Sequence, residues 1–135
     1  MRSLLLATLL LAACGKGDKP PAPTSGSPGA KPETGPPAGQ LSEAQRMFQT
    51  VCATCHGIDG TGNGPAAESL TPKPRNYTDK EWQASVTDAD LKKIILEGGQ
   101  AVGKSAMMPA QSQLRDKPDV VNELVMMIRG FARTQ

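Results

Sequence analysis

From residue 41 onward, apolar side chains recur three and four apart in three stretches, and nothing alternates with period two. In LSEAQRMFQTVCATCH, Ala44, Met47, Phe48 and Val51 fall at i, i+3, i+4 and i+7, and Ser42 and Gln45 are spaced as a capping box. In VTDADLKKIILEGG, Leu91, Ile94 and Ile95 share a face, Thr87 and Asp90 open the helix and Gly98 stops it. In DKPDVVNELVMMIRGF, Pro118 suits a first turn, and Val121, Leu124, Val125, Ile128 and Phe131 line one side. A Gly- and Pro-rich loop, 57–79, separates the first two helices. The pattern predicts an all-α domain of three or more helices.

The first forty residues follow a different rule. Met1-Arg2-Ser3 is a short basic start, Leu4 to Leu11 is apolar, and Ala12-Ala13 precede Cys14. Spanning a bilayer needs about 20 apolar residues, so this run is a secretory signal rather than a membrane helix. LAAC resembles the lipobox of bacterial lipoproteins, which predicts a signal peptide over 1–13 and lipidation of Cys14. The 26 residues 15–40 include seven Pro and six Gly. Such a segment cannot bury enough apolar surface to offset its ordering entropy, and 14–40 reads as a disordered, lipid-anchored tether. Its flexible reach is roughly 25–30 Å. The expected location is the extracytoplasmic or periplasmic side of a membrane.

Charge narrows the partners. The whole chain has a formal net charge of +2. Residues 41–135 hold 11 Lys and Arg against 11 Asp and Glu, so the excess lies on Arg2, Lys16, Lys19 and Lys31. A neutral domain without a basic cluster gives no reason to expect nucleic acid. Four aromatics, Phe48, Tyr77, Trp82 and Phe131, make a thin core for 95 residues, the situation in which small domains recruit a staple or a cofactor.

That cofactor is suggested by CATCH, residues 52–56. C-x-x-C-H is the attachment signature of c-type haem: Cys52 and Cys55 lie one helical turn apart, where both thiols can add to haem vinyl groups, and His56 presents its imidazole to iron. A thioredoxin-like pair would follow a strand, and none is predicted. Structural zinc needs four ligands, but His56 is the chain's single histidine and two cysteines remain after Cys14. With one His, the sixth iron ligand is a Met sulfur, a Lys amine, water or an open site. Met47, Met126 and Met127 sit on helices, where core packing is expected, whereas Met107 and Met108 sit in a loop closed by Pro109. Pro109 favours extended backbone at Met108, and neighbouring side chains on extended backbone point apart, so only one of the two methionines faces the iron.

The same loop overlaps GGQAVGKS, 98–105, which fits the phosphate-binding pattern G-x-x-x-x-G-K-[ST]. A phosphate loop follows a strand and opens a helix. Gly98 instead closes one, and Pro109 would interrupt any helix begun at Ser105, so no nucleotide is expected.

From Glu43 onward the chain resembles the class I c-type cytochromes, small mono-haem electron carriers, through Cys52, Cys55 and His56, the loop GTGNGP, and MMP followed by a terminal helix. The resemblance implies a small cytochrome fold around one covalent haem c, with His56 and Met108 as axial ligands. It also implies that Pro65, nine residues after His56, supplies the backbone carbonyl accepting from the far imidazole nitrogen. Ala44 departs from the Gly usual where the first and last helices cross, Met127 stands at a usual aromatic, and MPAQ lacks a common aromatic. The expected function is not enzymatic: single-electron transfer between redox protein partners such as membrane oxidase or reductase complexes. The alternatives are a haem enzyme or gas and redox sensor with a labile sixth ligand, or a haem-free lipoprotein using the Cys52–Cys55 pair as a redox switch.

Overall fold

The computed structural model describes residues 39–133; the expected signal peptide, the lipidation site Cys14 and most of the tether lie outside the described residues. Ser42 opens α1 (Glu43–Met47) with the expected capping box, its side chain accepting from Gln45 N and the Gln45 side chain accepting from Ser42 N. The helix does not continue in α form. Phe48–Cys52 is a π-helical turn, and the Ala53 amide donates to Phe48 O, five residues back. α2 (Ala53–His56) completes the rod.

The extra residue in a π turn rotates everything after it. Ala44 and Phe48 are buried, as the apolar spacing requires. Val51, counted on the same stripe under α periodicity, is 42% exposed and lies on the wall of a large cavity.

A helix not anticipated from the sequence, α3 (Lys80–Ser85), follows the long loop. It has too few apolar residues for a periodic signal and depends on Asp79, whose carboxylate accepts from Trp82 N at 3.0 Å. α4 (Asp88–Ala101) begins at a reciprocal Thr87–Asp90 capping box and breaks at Gly98, where φ is 78°. α5 (Pro118–Phe131) starts with Pro in its first turn and buries Val121, Leu124, Val125 and Ile128. Met127 packs against this core, but Met126, expected to do the same, is 61% exposed. No strand occurs among the described residues, and the all-α expectation holds.

α1 packs on α5 with Ala44 fully buried between them. Around that crossing Ser42 Oγ donates to Glu123 Oε1 at 2.6 Å and Lys117 pairs with Glu43. The other end of α5 is fastened by Arg129, which donates to Asp88 Oδ1, to Gln83 O and Oε1, and to Val86 O at 2.6–2.8 Å. One guanidinium thus ties α5 to α3 and to the start of α4.

Candidate metal centre

Cys52 closes the π turn and Cys55 sits one turn on, both free thiols and half-buried. His56 ends α2 and is buried. Gly57, at φ 78°, turns the chain away immediately afterwards. The carbonyls left open at this helix end are taken by the loop that follows: Gly62 N donates to His56 O, Gly64 N to Cys55 O and Ala66 N to Thr54 O, at 2.8–3.0 Å. Gly64 must be glycine for this, because a Cβ there would lie 2.4 Å from Ala53 O and 2.5 Å from Thr54 O. The GTGNGP loop is therefore a backbone cap on the CATCH helix.

The far imidazole nitrogen has a different partner from the one the resemblance implies. His56 Nδ1 donates to Arg75 O at 3.1 Å, and Pro65 does not serve it. The amides flanking exposed Pro65 point at α2 to cap it, which commits that part of the loop to the helix end. The segment 74–77 comes over the ring instead, held by Tyr77 N donating to Gly60 O at 2.7 Å. It packs so closely on Gly62 that a Cβ there would meet Pro74 O at 2.6 Å.

Burial holds the His56 pKa below its ordinary value, against the opposing effect of the Arg75 carbonyl. The ring is neutral near pH 7 with its proton on Nδ1, so Nε2 keeps a lone pair for a metal. Burial also pushes the Cys52 thiol up to about 11, with the nearby Cys55 adding to the rise. A thiol so rarely ionised is a poor attacking group for disulfide exchange.

Cys52, Cys55 and His56 line one cavity of about 1400 Å³ together with Met107 and Met108. Residues 105–108 do not form a strand-like run. They form a turn, closed by Met108 N donating to Ser105 O at 3.2 Å, so strand-like alternation does not choose between the methionines. Met107 is 62% exposed, whereas Met108 is half-buried and fixed through Gly99 N donating to Met108 O at 3.0 Å. Two adjacent glycines at the start of the phosphate-like stretch seat this loop: a Cβ on Gly98 would lie 2.8 Å from Ala110 N, and one on Gly99 2.0 Å from Ser105 O.

Residues 41–122 match the family model for cytochrome c. The chain belongs to the cytochrome c family. The KustC0563 c-type cytochrome, a solved structure, is 30% identical over 64% of this chain and 93% of its own, with a TM-score of 0.48. No curated protein matches this cytochrome.

The family's cofactor is covalent haem c, and the residues of this cytochrome fit it. Two free thiols a turn apart border a cavity larger than the roughly 300–1,000 Å³ of ordinary ligand pockets, and a neutral imidazole lines the same space. Its mostly apolar lining, including Phe48, Leu91, Ile94 and Leu124, suits a macrocycle. The charged side chains on its wall are Lys73, Arg75, Lys93 and Lys104 against Asp90.

Arg75 and Tyr77 lie inside the long loop 57–79, where the sequence assigned neither a role. The fixed φ of Pro72 and Pro74 in TPKPRNY was the available signal that this segment is a stiff strap.

Proposed function

We propose that this cytochrome is a class I mono-haem electron carrier, held to the outer side of a membrane by a lipid on Cys14 and the tether 14–40. Cys52 and Cys55 form the thioethers, His56 and Met108 are the axial ligands, and the redox partners are proteins such as membrane oxidase or reductase complexes. The observation that carries this reading is the shared cavity, whose lining includes Cys52, Cys55 and His56 as well as Met108.

Bound haem supplies one-electron chemistry at iron, and Met ligation raises its potential. The chain's task is to keep both ligands in place in either valence. His56 is fixed by its Nδ1–H bond, which makes the imidazole a better donor. The Met108 carbonyl is pinned to Gly99, limiting the movement of its side chain.

Partner recognition is supported by charge. The described residues carry 11 Lys and Arg and 11 Asp and Glu, yet the cavity wall has four cations and one anion. Such a rim steers association toward an acidic face, at a rate that falls with ionic strength. As to location, no helix among the described residues is long and apolar enough to cross a membrane, and in this reading the lipid on Cys14 is the anchor.

Protein made in a haem-attaching host should gain the mass of one haem that survives acidic acetone. An unmodified mass would remove the reading. Cys14→Ser should release a spectrally normal cytochrome from the membrane fraction, and retention there in high salt would exclude the lipid anchor.

A further inference from the structure

The aromatic beside the axial imidazole has no part in the scheme above. Tyr77 is buried, and its ring stacks on His56 with centroids 4.4 Å apart and planes 13° from parallel. Everything around Tyr77 fixes that ring. Trp82 lies behind it at 5.7 Å and Phe131 at 6.1 Å. Its amide is bound to Gly60 O, and its carbonyl accepts from Gln83 Nε2 at 2.7 Å. Gln83 Nε2 also donates to Ile128 O at 2.8 Å, and its side-chain oxygen is held by Arg129. The position of the Tyr77 ring is thus set from α3 and α5, remote from the CATCH helix.

The two groups that touch the imidazole come from one short strap. Arg75 contributes the carbonyl that accepts from Nδ1, and Tyr77, two residues later, contributes the stacked face. The Arg75 guanidinium lies over the Trp82 ring, 5.5 Å from its centroid, so Trp82 supports both ends of the strap. A hydrogen bond to Nδ1 fixes one direction in the ring but leaves rotation about that direction soft. A flat neighbour stacked on its face removes that freedom.

We infer that Tyr77 is a positioning residue for His56: its ring fixes the rotation of the axial imidazole and keeps Nδ1–H aimed at the Arg75 carbonyl. This rests on the haem-carrier reading and adds to it a residue that sets ligand orientation and donor strength. The phenol ring, rather than its hydroxyl, performs the task. A strong Nδ1–H bond makes the imidazole a better donor and favours ferric iron. Loosening it raises the midpoint potential.

Three measurements on the haem-loaded protein test this. In the wild type, NMR of the ferrous form should show cross-peaks between Tyr77 and His56 ring protons; if they are absent, the stack does not persist with haem bound and the inference fails. Tyr77→Phe should preserve the ferric haem-methyl shift order, which reports the imidazole plane, and the potential. Tyr77→Leu should reorder those shifts, raise the potential and speed His56 Nδ1–H exchange at least tenfold, while keeping the iron–thioether charge-transfer band. A Leu variant unchanged in shift order and exchange would overturn the proposal. A Leu variant that does not fold leaves the wild-type cross-peaks and the Phe variant to decide, and a Phe variant behaving as predicted for Leu would refute the ring assignment. A chain carrying no haem by mass fails the carrier reading itself, a separate result.

Discussion

Gly99 and Met108 are joined backbone to backbone, the Gly99 amide donating to the Met108 carbonyl at 3.0 Å. The end of α4 therefore holds the loop assigned to the sixth ligand, and the side chain of that ligand can be tested separately from its support.

Met108→Ala should abolish the ferric iron–thioether band and lower the potential, leaving water or Lys104 to bind. Met107→Ala should keep the band. Because Met107 is 62% exposed, its truncation should cost well under the roughly 2–5 kcal/mol typical of a core Met. Loss of the band in Met107→Ala alone would reverse the ligand assignment.

Gly99→Ala leaves every proposed ligand in place yet should weaken the same band. Its new Cβ would lie 2.0 Å from Ser105 O and 3.3 Å from Met108 Cβ, so the loop must move. Gly103→Ala serves as the control, because open space surrounds a Cβ there, although its φ of 70° adds local strain. Faster carbon monoxide binding by the ferrous protein would report the opening directly, and a Gly99→Ala protein indistinguishable from wild type would show that the loop is not seated there.

Arg129→Met should destabilise the domain by about 2–4 kcal/mol in denaturant titration, with the haem spectrum largely kept in the folded state. The substitution preserves much of the alkyl stem but leaves the Gln83 and Val86 carbonyls and the Asp88 carboxylate without their donor. A loss below about 0.5 kcal/mol, the scale of a surface pair, would show the hub to be dispensable.

The α4 capping box should make stability depend on acid. The hydroxyl and amide of Thr87 bind the Asp90 carboxylate and hold its pKa below the ordinary 3.8. The folded chain thus prefers the ionised form. Its contribution is complete above the unfolded value and is lost as pH falls through the lower, folded value. Asp90→Ala should lower the melting temperature at pH 7 and progressively less below pH 3.8. An equal deficit at every pH would assign the effect to packing.

The parts legible in the sequence were those written in neighbouring residues. The Ser42–Gln45 capping box, the opening at Thr87 and Asp90, the break at Gly98, Pro118 and the α5 stripe follow from local spacing and are found as expected. What sequence could not supply was contact across distance. The acceptor for His56 lies 19 residues away, reached through a loop whose own amides are spent on α2, so a nine-residue offset to Pro65 misled. Val51 was misplaced for another reason: apolar spacing assumes constant pitch, and the π turn breaks it. Of the two glycines matching the phosphate pattern, Gly98 is explained by close backbone packing and Gly103 by its positive φ of 70°, which the letters alone do not distinguish.

That π turn also divides the first helix into two segments with independent angular settings. Upstream of Phe48, rotation about the axis is fixed by the seam with α5; downstream, it is fixed by the direction of two sulfurs and an imidazole. The widened turn absorbs the phase difference between them. Forcing residues 48–52 into uniform α pitch with none deleted would swing the cofactor-bearing face by about 100° around the rod while the seam stayed intact.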